Sequence, residues 1–259
     1  MLLIGAVAPT ALAAGPDRSS LSAHGNWRIA NAHIANGSLP AAERQSWDRA
    51  MGQCNATLIV GTGRAGTSFL VALLTRLGLP TGFTNADVDK TLLHTAAHAG
   101  LEHDPRMVDN TIQCSPKLQI FKSPRLTEPE KVAQWINARN IQMVVIPMRK
   151  PEDSAESRSF RSSHGDANRG GLYHATDNTS QMNYNNYVIA SMLWMLSRAS
   201  AIPVVMLSFP EHALDSNYAY AQLKSLLAPH GVSRERFAVE HAKLSHPEFV
   251  QSFHHDQHK

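Results

Sequence analysis

Short apolar runs alternate along this chain with longer segments whose apolar residues recur at helical spacing. The first pair joins Leu58-Ile59-Val60, in a strand expected over 57–60, to a helix expected over 66–77. That helix carries Phe69, Leu70, Leu73, Leu74 and Leu77 on one face, and Gly78 and Pro80 end it. A second strand is expected over 118–122, and a helix over 128–139 with Pro129 in its first turn. The run over 141–149 is nearly all apolar, the mark of an interior parallel strand covered on both faces. Pro151 suits the first position of a helix, with Glu152 and Asp153 at its positive end. A long helix over 182–199, a strand over 203–209 and a helix over 217–227 complete the series. Strands alternating with helices predict an α/β fold, a parallel β-sheet flanked by helices.

Before this pattern the chain is different. Residues 1–52 form a leader and peripheral segment, with one helix expected near 41–50; residues 53–259 hold the α/β domain. The opening MLLIGAVAPTALAAG is apolar and carries an Ala-Leu-Ala segment of the kind that precedes signal cleavage. It has no Lys or Arg ahead of the apolar run, Pro9 interrupts it, and it is shorter than the roughly 20 residues of a membrane span. The expectation is a cytoplasmic protein with no stable membrane insertion, export being the alternative. Cys54 and Cys114 show no metal-ligand spacing and fit a reduced compartment. Histidines cluster in the tail at His254, His255 and His258, where a solvated terminus accounts for them, so no metal site is expected. The formal charge of +3 is mild and forms no basic stripe, which argues against a nucleic-acid partner.

Candidate chemistry gathers where strands end. The stretch GTGRAGTS, residues 61–68, follows the first strand and opens onto a helix. Its glycines permit tight turns and close approach of an anion, and the helix N-terminus offers unpaired N–H groups. Thr67 and Ser68 add hydroxyls and Arg64 a cation. A triphosphate loop has lysine before its Ser/Thr, reaching the β- and γ-phosphates; here the position holds Thr67. That weakens the case for phosphoryl transfer and leaves intact the case for a smaller anion bound without magnesium.

A second stretch, VVIPMRKPEDSAESRSF, places Arg149 at a strand end and Ser157 in the next helix. This pair resembles the 3′-phosphate signature of sulfotransferases that use 3′-phosphoadenosine 5′-phosphosulfate (PAPS). Gly63-Arg64-Ala65-Gly66-Thr67-Ser68 is similar to that family's 5′-phosphosulfate loop, and IFKSPRL resembles its second strand, with Lys122 near the reacting centre. The resemblance covers roughly residues 57–163 and, more loosely, 209–227. It implies a P-loop-type single domain and a sulfuryl transfer from PAPS to a hydroxyl or amine of a small-molecule or glycan acceptor, with no metal required. The loop would hold the 5′-phosphate, Arg149 and Ser157 the 3′-phosphate, and Lys122 the bridging oxygen as its bond to sulfur breaks.

The general base is not fixed by the resemblance. Cytosolic members carry a histidine two residues after the strand-end lysine, where this chain has Pro124. Other branches use a carboxylate from the region after the first helix, which here supplies Asp87, Asp89, His94, His98, Glu102, His103 and Asp104. Glu102 is preferred, with Asp87 and His94 next. Arg125 is a further ligand-binding candidate, Arg158 and Arg161 read as surface charges, and Arg234 and Arg236 as a basic loop reaching the 3′-phosphate. The polar stretch over 162–180 suits a lid. The competing readings are a P-loop small-molecule kinase and a non-catalytic nucleotide-binding relative.

Overall fold

The computed structural model describes residues 55–94, 100–103, 117–123, 126, 128–138, 140–163, 171–198 and 202–247. The expected helix near 41–50, the boundary at 52/53, His98, Asp104, Pro124, Arg125 and 164–170 of the expected lid lie outside them. Four strands form one sheet: β1 (Asn55–Ile59), β2 (Ile120–Lys122), β3 (Asn140–Met148) and β4 (Val204–Ser208). Their order is β2-β1-β3-β4, and every pairing is parallel. Eight α-helices accompany them among the described residues: α1 (Thr67–Arg76), α2 (Asn85–His94), α3 (Pro129–Ala138), α4 (Pro151–Ser163), α5 (Asn178–Arg198), α6 (Glu211–Leu214), α7 (Ser216–Leu227) and α8 (Arg234–Leu244).

Strand periodicity sends alternate residues to opposite faces. Ile59, Ile120, Met143, Val145 and Leu207 pack with leucines of α1 and α7 and with Phe237 of α8. Ala56, Leu58, Val60, Phe121, Val144 and Ile146 face Val132 and Trp135 of α3 and Val188, Met192 and Leu196 of α5. Phe121 meets Trp135 edge to face at 4.9 Å between ring centres. Each such side chain, when fully buried, contributes roughly 1.5–3 kcal/mol. The pairing Ala56↔Ile141 then Thr57↔Met143 skips Gln142, a bulge that keeps both ends of β3 in phase with their faces.

Three forecasts are corrected. The segment after Gly82 contains a helix, α2, that was not expected; Val88 packs into the core from it. The long helix begins at Asn178 rather than 182, because the Asp177 carboxylate accepts from the Ser180 N–H at 2.8 Å and starts the turn early. Residues 234–244 form α8, capped by Ser233, where a basic loop was expected.

The topology points to one place on the sheet. From β1 the chain goes outward to β2, crosses back past β1 to β3, and continues to β4 at the other edge. Adjacent strands β1 and β3 therefore send their connections opposite ways, and a crevice opens at their carboxyl ends. The glycine loop leaves β1 there, and Arg149 and α4 follow β3 there.

Candidate functional site

Residues 61–66 leave β1 through a sequence of left-handed backbone conformations. Gly63, Arg64 and Gly66 have φ of 72°, 56° and 76°. Arg64 holds this conformation without being glycine, a strain that local contacts must hold in place. Three successive carbonyls supply those contacts. Thr62 O accepts from the Arg158 guanidinium, Gly63 O from Ser154 Oγ at 3.3 Å, and Arg64 O from Arg149 at 3.2 Å. A trans peptide sets its N–H opposite its carbonyl, so the amides of Gly63, Arg64 and Ala65 face away from these donors. That alternation builds a concave nest of N–H groups of the kind that receives anions. Gly66 then begins α1 with no side-chain cap. The first turn, with Thr67 and Ser68, thus continues the donor surface.

The Arg64 side chain turns toward α4, where its Nε donates to Ser157 Oγ at 3.0 Å. The residues are 93 positions apart, so this bond joins the loop after β1 to the helix after β3. Arg149 lies with its guanidinium 5.1 Å from the Phe209 ring centre, after β4. Arg158 and Arg161, expected on the surface, are buried at 7% and 6% exposure. The reason is the composition of α4, whose inward face is Ser154, Ala155, Ser157, Arg158 and Arg161. A polar stripe at helical spacing is the buried one, with loop carbonyls accepting from Ser154 and Arg158 and the Arg64 side chain donating to Ser157. Behind it, Asn185 of α5 donates to Ser154 Oγ at 3.3 Å and Gln181 donates to Asn185 at 2.9 Å, both residues buried.

Arginines crowd this site, with Asp153 and Glu156 as counter-charges to Arg149. Burial and then the neighbouring cations Arg161, Arg158 and Arg149 pull the Arg64 guanidinium down to about 10. Burial also lowers Arg149 and Arg158. Like charges this close oppose one another until an anion arrives.

Lys122 ends β2, buried, with Nζ donating to Gly100 O at 2.7 Å, Ser68 Oγ at 2.9 Å and Glu102 Oε1 at 3.1 Å. Burial lowers its pKa, Glu102 opposes that shift, and Arg64 adds to it. The Glu102 side chain is 42% exposed against 6% for Lys122, so the carboxylate stands at the mouth and the ammonium inside. The neighbouring His103 is a buried support. We assign a neutral ring that bridges two backbones: Nε2 lies 2.9 Å from Thr81 O, and Nδ1 lies 2.9 Å from Lys122 O and 3.1 Å from Lys122 N. Burial lowers its pKa, in keeping with that assignment.

Other candidates fall elsewhere. Asp87 is exposed in a capping box, its Oδ2 accepting from the Thr84 N–H at 2.8 Å and hydroxyl at 2.7 Å. Those bonds lower its pKa and give it a structural task at the start of α2. Asp89 pairs with Arg76. His94 ends α2, and its side chain lies outside the described residues. Arg236 donates to Leu77 O at 2.8 Å, capping α1 at the end opposite the loop, and Arg234 bonds Asn217. Both guanidiniums are engaged at helix ends in this structure.

One residue had no signal in the sequence. His212 of α6 is buried beside Gly66, its Nδ1–H donating to Ser208 O at 2.8 Å. The loop, Lys122, Glu102, Arg149 and Ser157 are thus brought to one end of the sheet, and Asp87 is placed in a helix cap. None of the described helices is long and apolar enough to cross a membrane. No protein-family model, curated protein or solved structure matches the chain.

Proposed function

We propose that this protein is a PAPS-dependent sulfotransferase, with the donor's 5′-phosphosulfate in the glycine loop and its 3′-phosphate against Arg149 and Ser157. The observation that carries the reading is the Arg64–Ser157 hydrogen bond, which unites two anion-binding motifs 93 residues apart in one positively charged crevice. One phosphate would need one motif. Two motifs side by side suit a ligand with two separated phosphoryl groups.

In this reading the acceptor hydroxyl or amine attacks sulfur in line, and the bond from sulfur to the 5′-phosphate oxygen breaks. Negative charge grows on that oxygen, where the loop amides and the nearby positive charge of the Lys122 ammonium stabilise it. Glu102 takes the proton lost by the acceptor. Its carboxylate is 3.1 Å from Lys122 and open to solvent, so an acceptor can reach it.

Calorimetric titration tests the donor site. The 3′,5′-bisphosphate of adenosine should bind without magnesium, with 5′-AMP weaker by roughly tenfold or more, the value of one charge-assisted contact. Equal affinity for the two would remove Arg149 and Ser157 from the reading. Transfer of labelled sulfate from PAPS to a panel of hydroxyl and amine acceptors tests the reaction, and tight binding with no transfer to any would favour a binding protein.

A further inference from the structure

The environment of Lys122 Nζ carries a second conclusion. Its three partners are a hydroxyl, a backbone carbonyl and a carboxylate: Ser68 Oγ, Gly100 O and Glu102 Oε1, at 2.9, 2.7 and 3.1 Å. Ser68 also donates its own proton to Gly100 O at 3.1 Å, so its lone pairs are what face the ammonium. An all-oxygen set of this composition is the donor set of a hard divalent cation. Its position is equally telling, because in triphosphate loops the hydroxyl in the first turn after the glycines is the one that holds magnesium.

The geometry points to Lys122 as a built-in substitute for a divalent cation: its ammonium fills the three-oxygen cage beside the loop, so the phosphate ligand is taken free of metal, and removing it exposes a metal site. The inference rests on the reading that a phosphoryl group occupies the glycine loop. It goes beyond that reading by predicting which form of the ligand is selected. A metal chelate would set a second positive charge against a buried ammonium that the strand end and the His103 ring hold in place. Arg64 adds to the repulsion. Most cellular nucleoside triphosphate is chelated, so the cage would discriminate against it without any contact to the base.

The probe is Mn2+, followed by its electron paramagnetic resonance signal, alongside the affinity for adenosine 3′,5′-bisphosphate. In the native protein, Mn2+ should not bind at the loop, and should weaken the bisphosphate only as far as chelation depletes the free ligand. In Lys122→Ala, bisphosphate affinity should fall by roughly tenfold in EDTA and recover on adding Mn2+, with one Mn2+ bound. The double variant Lys122→Ala/Ser68→Ala should lose that recovery. A folded Lys122→Ala protein that neither binds Mn2+ nor recovers affinity overturns the proposal, as does native binding that strengthens with Mn2+. If Lys122→Ala does not fold, the native measurement decides alone. Failure of the native protein to bind the bisphosphate in EDTA counts against the phosphate reading, while Mn2+ binding to the variant still judges the cage.

Discussion

Replacing Gly66 by alanine tests how tightly the loop's last turn is held. Gly66 has φ +76°, and a methyl group there would lie 2.6 Å from His212 Nε2, 2.8 Å from Phe209 Cδ2 and 2.9 Å from His212 Cε1. Left-handed backbone costs an alanine roughly 1–2 kcal/mol. Overpacking a buried site adds about 1–3 kcal/mol when the neighbours cannot withdraw. His212 cannot withdraw easily, since Nδ1 is bonded to Ser208 O and its own carbonyl accepts from His241 Nε2 at 3.0 Å. The sum is about 2–5 kcal/mol, which for a domain of this size lowers Tm by on the order of 10 °C. Thermal unfolding by circular dichroism measures it. In a His212→Ala background the methyl gains room on that side while φ and the Phe209 contact stay unfavourable, so the double variant should recover the His212 share of the packing part, a coupling of about 1 kcal/mol or more. A Gly66→Ala protein that melts with the native one, or effects that add without coupling, would refute the contact between His212 and the loop.

Further outcomes follow from the same contacts. Ser157→Ala removes the partner of Arg64 and should cost bisphosphate affinity roughly tenfold with less effect on 5′-AMP; equal losses would place Ser157 away from the 3′-phosphate. His103→Phe keeps the ring against Phe83 and Phe121 but removes its bonds to Thr81 O and the Lys122 backbone, a loss of about 2–4 kcal/mol by urea unfolding; an unchanged midpoint would show the ring bonds carry no weight. Burial lowers the pKa of His103, His212 and His241 from 6.5, so the unfolded chain binds more protons. Their stabilisation is complete above about pH 6.5 and is lost as pH falls from there through the folded values. Denaturant midpoints level from pH 8 to 5 would contradict the neutral rings.

The sheet was legible because each strand announces itself locally. The run around Val144-Val145-Ile146 has no polar alternation, and it lies in the strand covered on both faces, between β1 and β4. Helices were legible only where their buried face is aliphatic. α1 shows Leu70, Leu73 and Leu74, and its extent was read nearly to the residue. α8 buries Phe237, His241 and Leu244, a stripe broken by a histidine that looks polar in sequence and packs edge-on against Phe69 at 5.2 Å. Its signal lay instead in Ser233, whose hydroxyl accepts from the Arg236 N–H.

The site divides along the same line, with a physical reason. A loop that binds anions through its backbone must turn its carbonyls away from the ligand, and carbonyls turned inward need donors. Here the donors are Arg158, Ser154 and Arg149, on the strand end and helix that follow β3. The glycines of the loop were visible at once, whereas Arg158, which satisfies one of its carbonyls, read as a surface charge because its acceptor, Thr62 O, lies 96 residues away. The burial of α4's polar face is therefore a consequence of the loop's conformation. On α4 that need is met by Ser154 and Arg158, two residues of its buried stripe. Arg64 is the exception that gives the site its character. It reaches the same helix with its side chain while its backbone belongs to the loop, so under the proposed function an anion in the loop would be felt at Ser157 through one guanidinium.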